Sequence, residues 1–395
     1  MTNRPPTAND RLRAAFVVRH SSFVILLILL IAFALRVWHL TSLPPGLTHD
    51  EANHGREAIG ILNGVFLYFF PLNYGSEPLY SYTVALFMAL LGRGVLALRL
   101  VNVFFGTAAI AVTYVWASPR LGRPVALLGA ALMAVSFWPL ASSREALRAG
   151  MLPFFMALAV YAFWKMTNDE LQMTNEERSA TAQLVTRRSS FVILFGLAVA
   201  LTLHVYLAAR VSWLLFPAFL AYLALAHRAA FRRLWRPVLA GLLLAALLVA
   251  PMFLYLRAHP EMQTRLDMLD QPLQDIAAVH LGPIWLNARD ALLAFVWPGS
   301  GDQFLAYNIP GRPVLDVVSA VFFVAGLLVC LIRWRRPVYA FLLLWFLTGI
   351  IPSLVTGPTA NTTRNMAALP AVYLIVAVGA VVVVGWGVGR MTSDK

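Results

Sequence analysis

VLALRLVNVFFGTAAIAVTYVWASPRLGRPVALLGAALMAVSFWPLAS, residues 95–142, holds two apolar runs, 95–117 and 124–142. A short turn carrying Arg120 and Arg123 parts them. Each run is close to the roughly 20 residues that a helix needs to cross a bilayer. Neither alternates in polarity, which excludes the strands of a transmembrane barrel. The pattern recurs outward in both directions. Further runs stand at 23–41, 150–166, 191–206, 211–226, 237–256, 315–332, 337–355 and 367–389, ten in all. The first is too long for a signal-peptide core and has no small-residue cleavage site after it, so it reads as an uncleaved span. Segment 78–91 is apolar but short, with Pro78 at its start, and reads as a helix in the membrane interface.

Composition agrees. Of 395 residues, 60% are hydrophobic and 12% charged, about half the ~25% charged share of a soluble domain. A water-soluble fold would lack the polar residues to cover that much apolar surface. The fold class is therefore all-α: a polytopic membrane protein with about ten transmembrane helices, plus interfacial helices in the first and largest outside loops. The lone Cys330 rules out an intrachain disulfide and a thiolate zinc site.

Lysine and arginine set the orientation. With 78–91 in the interface and the N-terminus cytoplasmic, the inside segments hold 19 basic residues and the outside loops 10, while acids divide 6 inside to 12 outside. Counting 78–91 as a span would place Arg228, Arg232, Arg233 and Arg236 outside, against the rule. The expected location is the plasma (inner) membrane, with both termini cytoplasmic. Arg36 and Arg99 fall within spans, and Arg36 is near enough to an end to snorkel. The chain divides into a cytoplasmic tail, 1–22, and a transmembrane module, 23–256, whose first outside loop is 42–94. A large outside loop, 257–314, and C-terminal helices, 315–395, follow. The large loop holds a second interfacial helix at 283–297, and the polar stretch 166–182 reads as a cytoplasmic linker.

Polar residues crowd the outside loops. In LPPGLTHDEANHGREAIGILNG, 43–64, Pro44, Pro45 and Gly46 break the helix as it leaves the membrane. Asp50 and Glu51 then open a helix over 50–63, where acids also serve as dipole-favoured caps, and His49 and His54 flank them. Glu77 precedes Pro78 and reads equally as a capping acid or a functional one. SREALRAG, 143–150, puts Arg144 and Arg148 one helical turn apart. Arg210 follows Tyr206 in HVYLAAR, and Arg364 lies in TANTTRNMAALP. Guanidinium groups match phosphate oxygens two-pronged, so these four arginines are candidates for one phosphate. In GDQFLAYNIPGRPVLD, 301–316, Asp302, Asn308 and Arg312 stand among turn formers, as an ordered loop over the outside mouth or as a plain connection. There is no Gly-rich phosphate loop, no His-Glu-x-x-His and no Gly-x-Ser-x-Gly. Acids are essentially missing from the spans, where an ion-coupled pump would need them.

A span followed by Pro44-x-x-x-x-x-Asp50-Glu51, then a helix opening Glu77-Pro78-Leu79-Tyr80, then Ser143-Arg144, resembles the GT-C superfamily of membrane glycosyltransferases. Among them it is most similar to the bacterial relatives of protein O-mannosyltransferases and of the aminoarabinose transferases that modify lipid A. The likeness spans residues 20–230, and the Pro310-Gly311-Arg312-Pro313 loop is similar to that of some bacterial members. It implies an inverting sugar transfer from a polyprenyl-phosphate donor to a glycolipid, polymer or protein acceptor at the outer face. Asp50 would be the catalytic base. Glu51, His54 and Glu77 would line the acceptor side or hold a metal, and Arg144, Arg148, Arg210 and Arg364 would bind the donor phosphate. Relatives carry an acid shortly after Ser-Arg, where this chain has Leu147, Arg148, Ala149 and Gly150. A divalent metal therefore stays an open question, with Arg148 as its replacement, and no nucleotide, organic cofactor or nucleic acid is expected. The alternative is a transporter or flippase of a polyprenyl-linked lipid, which would use the same arginines without a base.

The orientation is directly testable. A cysteine introduced at Ser300 should react with an impermeant thiol reagent added outside the cell, and one at Ser179 should not. The reverse labelling would overturn the assignment of sides.

Overall fold

A computed structural model describes residues 8–168, 181–305 and 307–393. Of the stretch 166–182, read as a linker, residues 169–180 lie outside these, and the flanking residues 166–168 and 181–182 are helical. The chain is an all-α polytopic membrane protein. It runs through α1 (Ala8–Val37), α2 (His49–Leu62), α3 (Pro78–Leu91), α4 (Val95–Leu121), α5 (Arg123–Val135), α6 (Phe137–Ser142) and α7 (Leu152–Asn168). After these come α8 (Thr181–Leu203), α9 (Ala209–Ser212), α10 (Leu215–Ala226), α11 (Arg228–Ala258), α12 (Asp270–Ala277) and α13 (Leu281–Val296). The last four are α14 (Val317–Ile332), α15 (Pro337–Thr356), α16 (Asn361–Arg364) and α17 (Leu369–Ser393).

Each apolar run of the sequence is largely helical, and among the described residues six helical stretches are long and apolar enough to cross a membrane. Others are shorter, among them Ser22–Val37, Arg123–Val135, Ser189–Leu203 and Val317–Ile332. α3 has 14 residues, roughly 21 Å at 1.5 Å each, short of a ~30 Å hydrocarbon core. The run 124–142 is not one helix. It breaks at Ser136, whose backbone is extended (φ −69°, ψ 149°), because Pro139 lacks an N–H and its ring crowds the carbonyl four residues back.

That break explains Arg36, which does not snorkel as its position suggested but is fully buried. Its guanidinium donates to the carbonyls of Met133 (2.9 Å) and Ala134 (3.1 Å), the last turn of α5. No water is at hand inside a membrane to satisfy such orphan carbonyls, so a side chain must.

The core is the C-terminal helix. Residues 366–380 are buried without interruption, so the helix is apolar all round, as a central helix must be. α14 lies so close along it that a Cβ on Gly326 would collide with the Ile375 carbonyl, and one on Gly379 with that of Phe322. Small residues let helix backbones meet where lipid supplies no hydrophobic drive. The outer surface is inverted relative to a soluble protein: Leu239, Leu243, Leu247 and Leu254 of α11 face outward, 46–70% exposed. α2 and α3 pack on each other, α3 packs on α4, and α13 rests on α15.

Overpacking a tight core typically costs ~1–3 kcal/mol. Gly379→Val should therefore lower the unfolding temperature in detergent by several degrees, whereas Gly385→Val, with open space around it, should leave it unchanged. Equal melting of the two variants would show that the α14–α17 contact is not a close one.

Candidate active site

The chain leaves α1 through SLPPGLT, 42–48. Prolines and a glycine forbid regular helix there, so carbonyls are left facing inward without amide partners. Arg99, one turn into α4, answers them. Its Nη1 donates to the carbonyls of Leu40 (3.1 Å) and Pro44 (2.8 Å), and its Nη2 to that of Gly46. The same guanidinium meets Glu51 two-pronged, at 2.9 and 3.2 Å. Both side chains are fully buried. Glu51 also accepts from the backbone N–H of Thr48 (2.9 Å) and of Ala146 (2.9 Å). With the Thr48 hydroxyl accepting from Glu51 N–H, it closes a capping box on α2. The cap of this helix is thus Thr48, not Asp50.

Successive residues of a helix point about 100° apart. With Glu51 locked inward, Asp50 is turned into a cleft, 21% exposed, where its Oδ2 accepts from the Tyr307 hydroxyl at 2.9 Å. His54, a turn further on the same face, also lines the cleft, together with Asn73, Arg148, Tyr206 and Thr363. The cleft is open to solvent, and its empty space is about 300 Å³. Arg148 reaches it from the turn before α7. It donates to the Gly75 carbonyl (2.8 Å), lies 5.5 Å from the Tyr206 ring centroid and pairs with Glu77 Oε2 at 3.3 Å.

Glu77, at the N-cap position of α3, makes no capping bond. Its carboxylate sits instead between Arg148 and Arg210, whose Nη2 is 4.0 Å from Oε1. Arg210 also donates to Gln263 Oε1 (3.2 Å) and lies 5.1 Å from the Phe253 ring centroid. Glu77 and Arg210 line a second cleft of about 220 Å³ with Phe69, Tyr74, Gly75 and Gln263. The strained turn Asn73-Tyr74-Gly75, all at positive φ, is the partition between the two.

The predicted residues therefore do not all meet. Asp50, His54, Arg148 and Tyr206 share the first cleft; Glu77 and Arg210 share the second. Arg144 lines neither. It donates to the carbonyls of Leu35 (2.7 Å) and Arg36 (3.1 Å), in the last turn of α1, and to that of Leu43 (2.9 Å). Arg364 donates to the Thr356 hydroxyl. Asp302 accepts from Phe304 N–H, Asn308 donates to the carbonyls of Asp302 and Arg312, and Arg312 stacks 3.9 Å from the Phe137 ring centroid. These three order the loop 301–316, and the residue of that loop in the cleft is Tyr307. Sequence reasoning missed Tyr307, Asn73, Arg99, Glu57 and Glu145. Arg99 alone gave a signal, as a charge inside a span.

Glu51, His54 and Glu77 do not converge on a metal position. Two are committed to arginines and the third to Glu57, and among the described residues no three His, Cys, Asp or Glu side chains form a metal-binding group. The metal-ligand role expected of them does not fit this arrangement.

Glu145, directly after Arg144, is half-buried. Burial, reinforced by Glu51, pushes its carboxyl up to about 8 against the opposing pull of Arg99. The folded protein thus keeps this proton to about pH 8, while the unfolded chain releases it near the ordinary 4.5. Between those values unfolding releases a proton, so stability falls as pH rises. Glu145→Gln should match wild type in unfolding temperature at pH 5 and exceed it by a few degrees at pH 9. Parallel pH profiles for the two proteins would contradict this.

No protein-family model and no curated protein matches the chain. Solved structures do. The archaeal oligosaccharyltransferase AglB from Archaeoglobus fulgidus, in complex with an inhibitory peptide and a dolichol-phosphate, superposes with a TM-score of 0.65 at 15% identity over 96% of this chain. The A. fulgidus oligosaccharyltransferase complex with Zn and sulfate gives 0.62 at 18% identity over 91%. ArnT from Cupriavidus metallidurans bound to undecaprenyl phosphate gives 0.57 at 15% identity over 93%. This chain spans 52% and 49% of the two oligosaccharyltransferase chains and 60% of ArnT. At such identities the likeness is one of architecture: the chain shares the fold of the membrane portion of these oligosaccharyltransferase and ArnT structures.

Proposed function

We propose that the chain is a membrane glycosyltransferase, moving a sugar from a polyprenyl-phosphate donor to a hydroxyl acceptor at the outer face of the plasma (inner) membrane. The observation that carries this reading is that Asp50 and Arg148 line one cleft. The fold is shared with structures that hold dolichol-phosphate or undecaprenyl phosphate. A transporter would need a polar route across the bundle; the central helix α17 is buried and apolar from 369 to 380, which favours a site at one face.

The chemistry follows from those two groups. The acceptor oxygen forms a bond to the anomeric carbon as the bond from that carbon to the phosphate oxygen breaks, its electron pair leaving with the phosphate. Attack from the face opposite the phosphate inverts the carbon. Negative charge grows on the phosphate, so a pre-placed guanidinium stabilises the transition state more than the ground state. Arg148 supplies it, held in aim by Glu77 and Gly75, with Arg210 beyond Glu77 as a second cation. The acceptor proton passes to Asp50, which the Tyr307 hydroxyl orients.

With purified protein and a labelled polyprenyl-phosphate sugar, Asp50→Asn should slow release of polyprenyl phosphate by roughly 10²–10⁴-fold while donor binding is kept. Arg148→Ala should weaken donor binding by roughly 1.5–3 kcal/mol, the worth of a charge-assisted bond, and Arg148→Lys should restore only part, as a point charge makes no two-pronged contact. If Arg148 is the counter-charge to the leaving phosphate, turnover should persist in chelator. Full turnover by Asp50→Asn would remove it as the base; loss in chelator reversed by a divalent ion would show that Arg148 and Arg210 do not replace a metal.

A further inference from the structure

His54 forms the floor of the cleft one turn beyond Asp50, only 2% exposed. Its Nδ1 lies 3.0 Å from Glu57 Oε2, and that same oxygen accepts the Ser81 hydroxyl. The ring stands edge-on to Tyr80, centroids 5.0 Å apart. Glu57 is buried, and its other oxygen has no hydrogen-bond partner. No chemistry described above uses this buried Ser81–Glu57–His54 chain.

The groups facing the ring settle its state. Asp50 and Glu57 face it from α2, Tyr80 and Ser81 from α3, Asn73 from the partition turn and Arg148 from the turn before α7. Burial lowers the imidazole pKa, outweighing the carboxylates, and Arg148 lowers it further. The ring is neutral at neutral pH. Glu57 Oε2 already accepts the Ser81 hydroxyl and faces Nδ1 at 3.0 Å, an arrangement that places the single ring proton on Nδ1 toward Glu57. Nε2 then presents a lone pair to the cleft. Its contact there is the Asn73 amide at 3.5 Å, at the outer limit of a hydrogen bond, so a better donor can take it.

Residues four apart on a helix are neighbours on one face. Asp50 and His54 thus offer two acceptors, one anionic and one neutral, side by side in one cleft. We propose that His54 is a specificity-determining residue whose Nε2 accepts a hydrogen bond from a second hydroxyl, adjacent to the one that Asp50 deprotonates. The acceptor is accordingly a sugar or polyol with neighbouring hydroxyl groups. Glu57 and Ser81 are positioning residues that hold the ring in the required tautomer. This rests on the transferase reading above.

Two measurements test it on the full chain in detergent. First, nitrogen NMR of protein labelled at histidine, with His54 assigned by difference from His54→Asn, reads the tautomer. Asn keeps a donor toward Glu57 and removes Nε2. The expected form at pH 7.5 is neutral with the proton on Nδ1, and Glu57→Gln should change that pattern; a charged ring or one protonated on Nε2 overturns the proposal. Second, transfer from the labelled donor is followed to two probe acceptors, an octyl glycoside and the monohydroxylic octyl ether of ethylene glycol. Wild type should prefer the glycoside, and His54→Asn should cut its kcat/KM roughly tenfold, as one lost hydrogen bond predicts, and that of the mono-alcohol by clearly less, so that the preference narrows. Ser81→Ala should narrow the preference in the same direction. Equal use of both alcohols by wild type, or an unchanged preference in His54→Asn, overturns the proposal while leaving the transferase reading intact. A wild type that consumes no donor with any acceptor sinks the reading itself, and this proposal with it.

Discussion

The face of this protein that carries the two clefts is built on one buried ion pair, Arg99 with Glu51. Taking two charges out of water is costly, and the pair holds because the polar atoms of both side chains are all used. Arg99 answers three carbonyls of the exit from α1 as well as the carboxylate. Glu51 answers Arg99, the start of α2 and the amide of Ala146. One guanidinium thereby sets the segment between α1 and α2, α4 and the turn before α7 relative to each other. Losing either partner would strand the other charge, at a cost of ~3–5 kcal/mol for a buried pair. The consequence for chemistry is geometric. Asp50 adjoins Glu51 and Arg148 follows Ala146 by two residues, so the same lock aims the cleft's carboxylate from one side and its cation from the other.

Most arginines at this face serve the backbone. Arg36 closes the end of α5, Arg144 the end of α1, and Arg99 the irregular segment after it. Helix ends near a membrane boundary expose carbonyls where water is scarce, and a guanidinium with five donors satisfies several at once. Against that background Arg148 and Arg210 stand apart. Both flank a carboxylate, Glu77, and both line open space. Glu77 makes two cations tolerable next to each other and leaves a net positive charge, the balance suited to a phosphate that gains charge as it leaves.

The spans were legible because a lipid-facing helix must be apolar over its whole length, so the hydrophobic run is itself the signal. Asp50 was legible for a local reason: acids following a proline-rich exit from a span. Glu51 carries the same local signal and a different job, because its partner is 48 residues away on α4 and pairing at that range has no periodicity to betray it. Tyr307 reaches Asp50 across 257 residues, and nothing distinguishes it in sequence from other loop tyrosines. Arg36 was misplaced because its destination, the broken end of α5, exists only once Pro139 has interrupted a run that reads as continuous. Glu145 was passed over because the acid was sought further along the loop, whereas burial beside Glu51 gives the residue next to Arg144 its unusual proton affinity.

The central claim is that the Arg99–Glu51 lock makes the Asp50–Arg148 cleft the seat of the donor phosphate. An experimental structure with bound polyprenyl phosphate tests it most directly. The account predicts the phosphate within hydrogen-bonding distance of Arg148, in the cleft lined by Asp50 and Tyr307, with Glu51 still paired to Arg99. A phosphate bound away from Arg148, or Glu51 released from Arg99 in the occupied state, would contradict it.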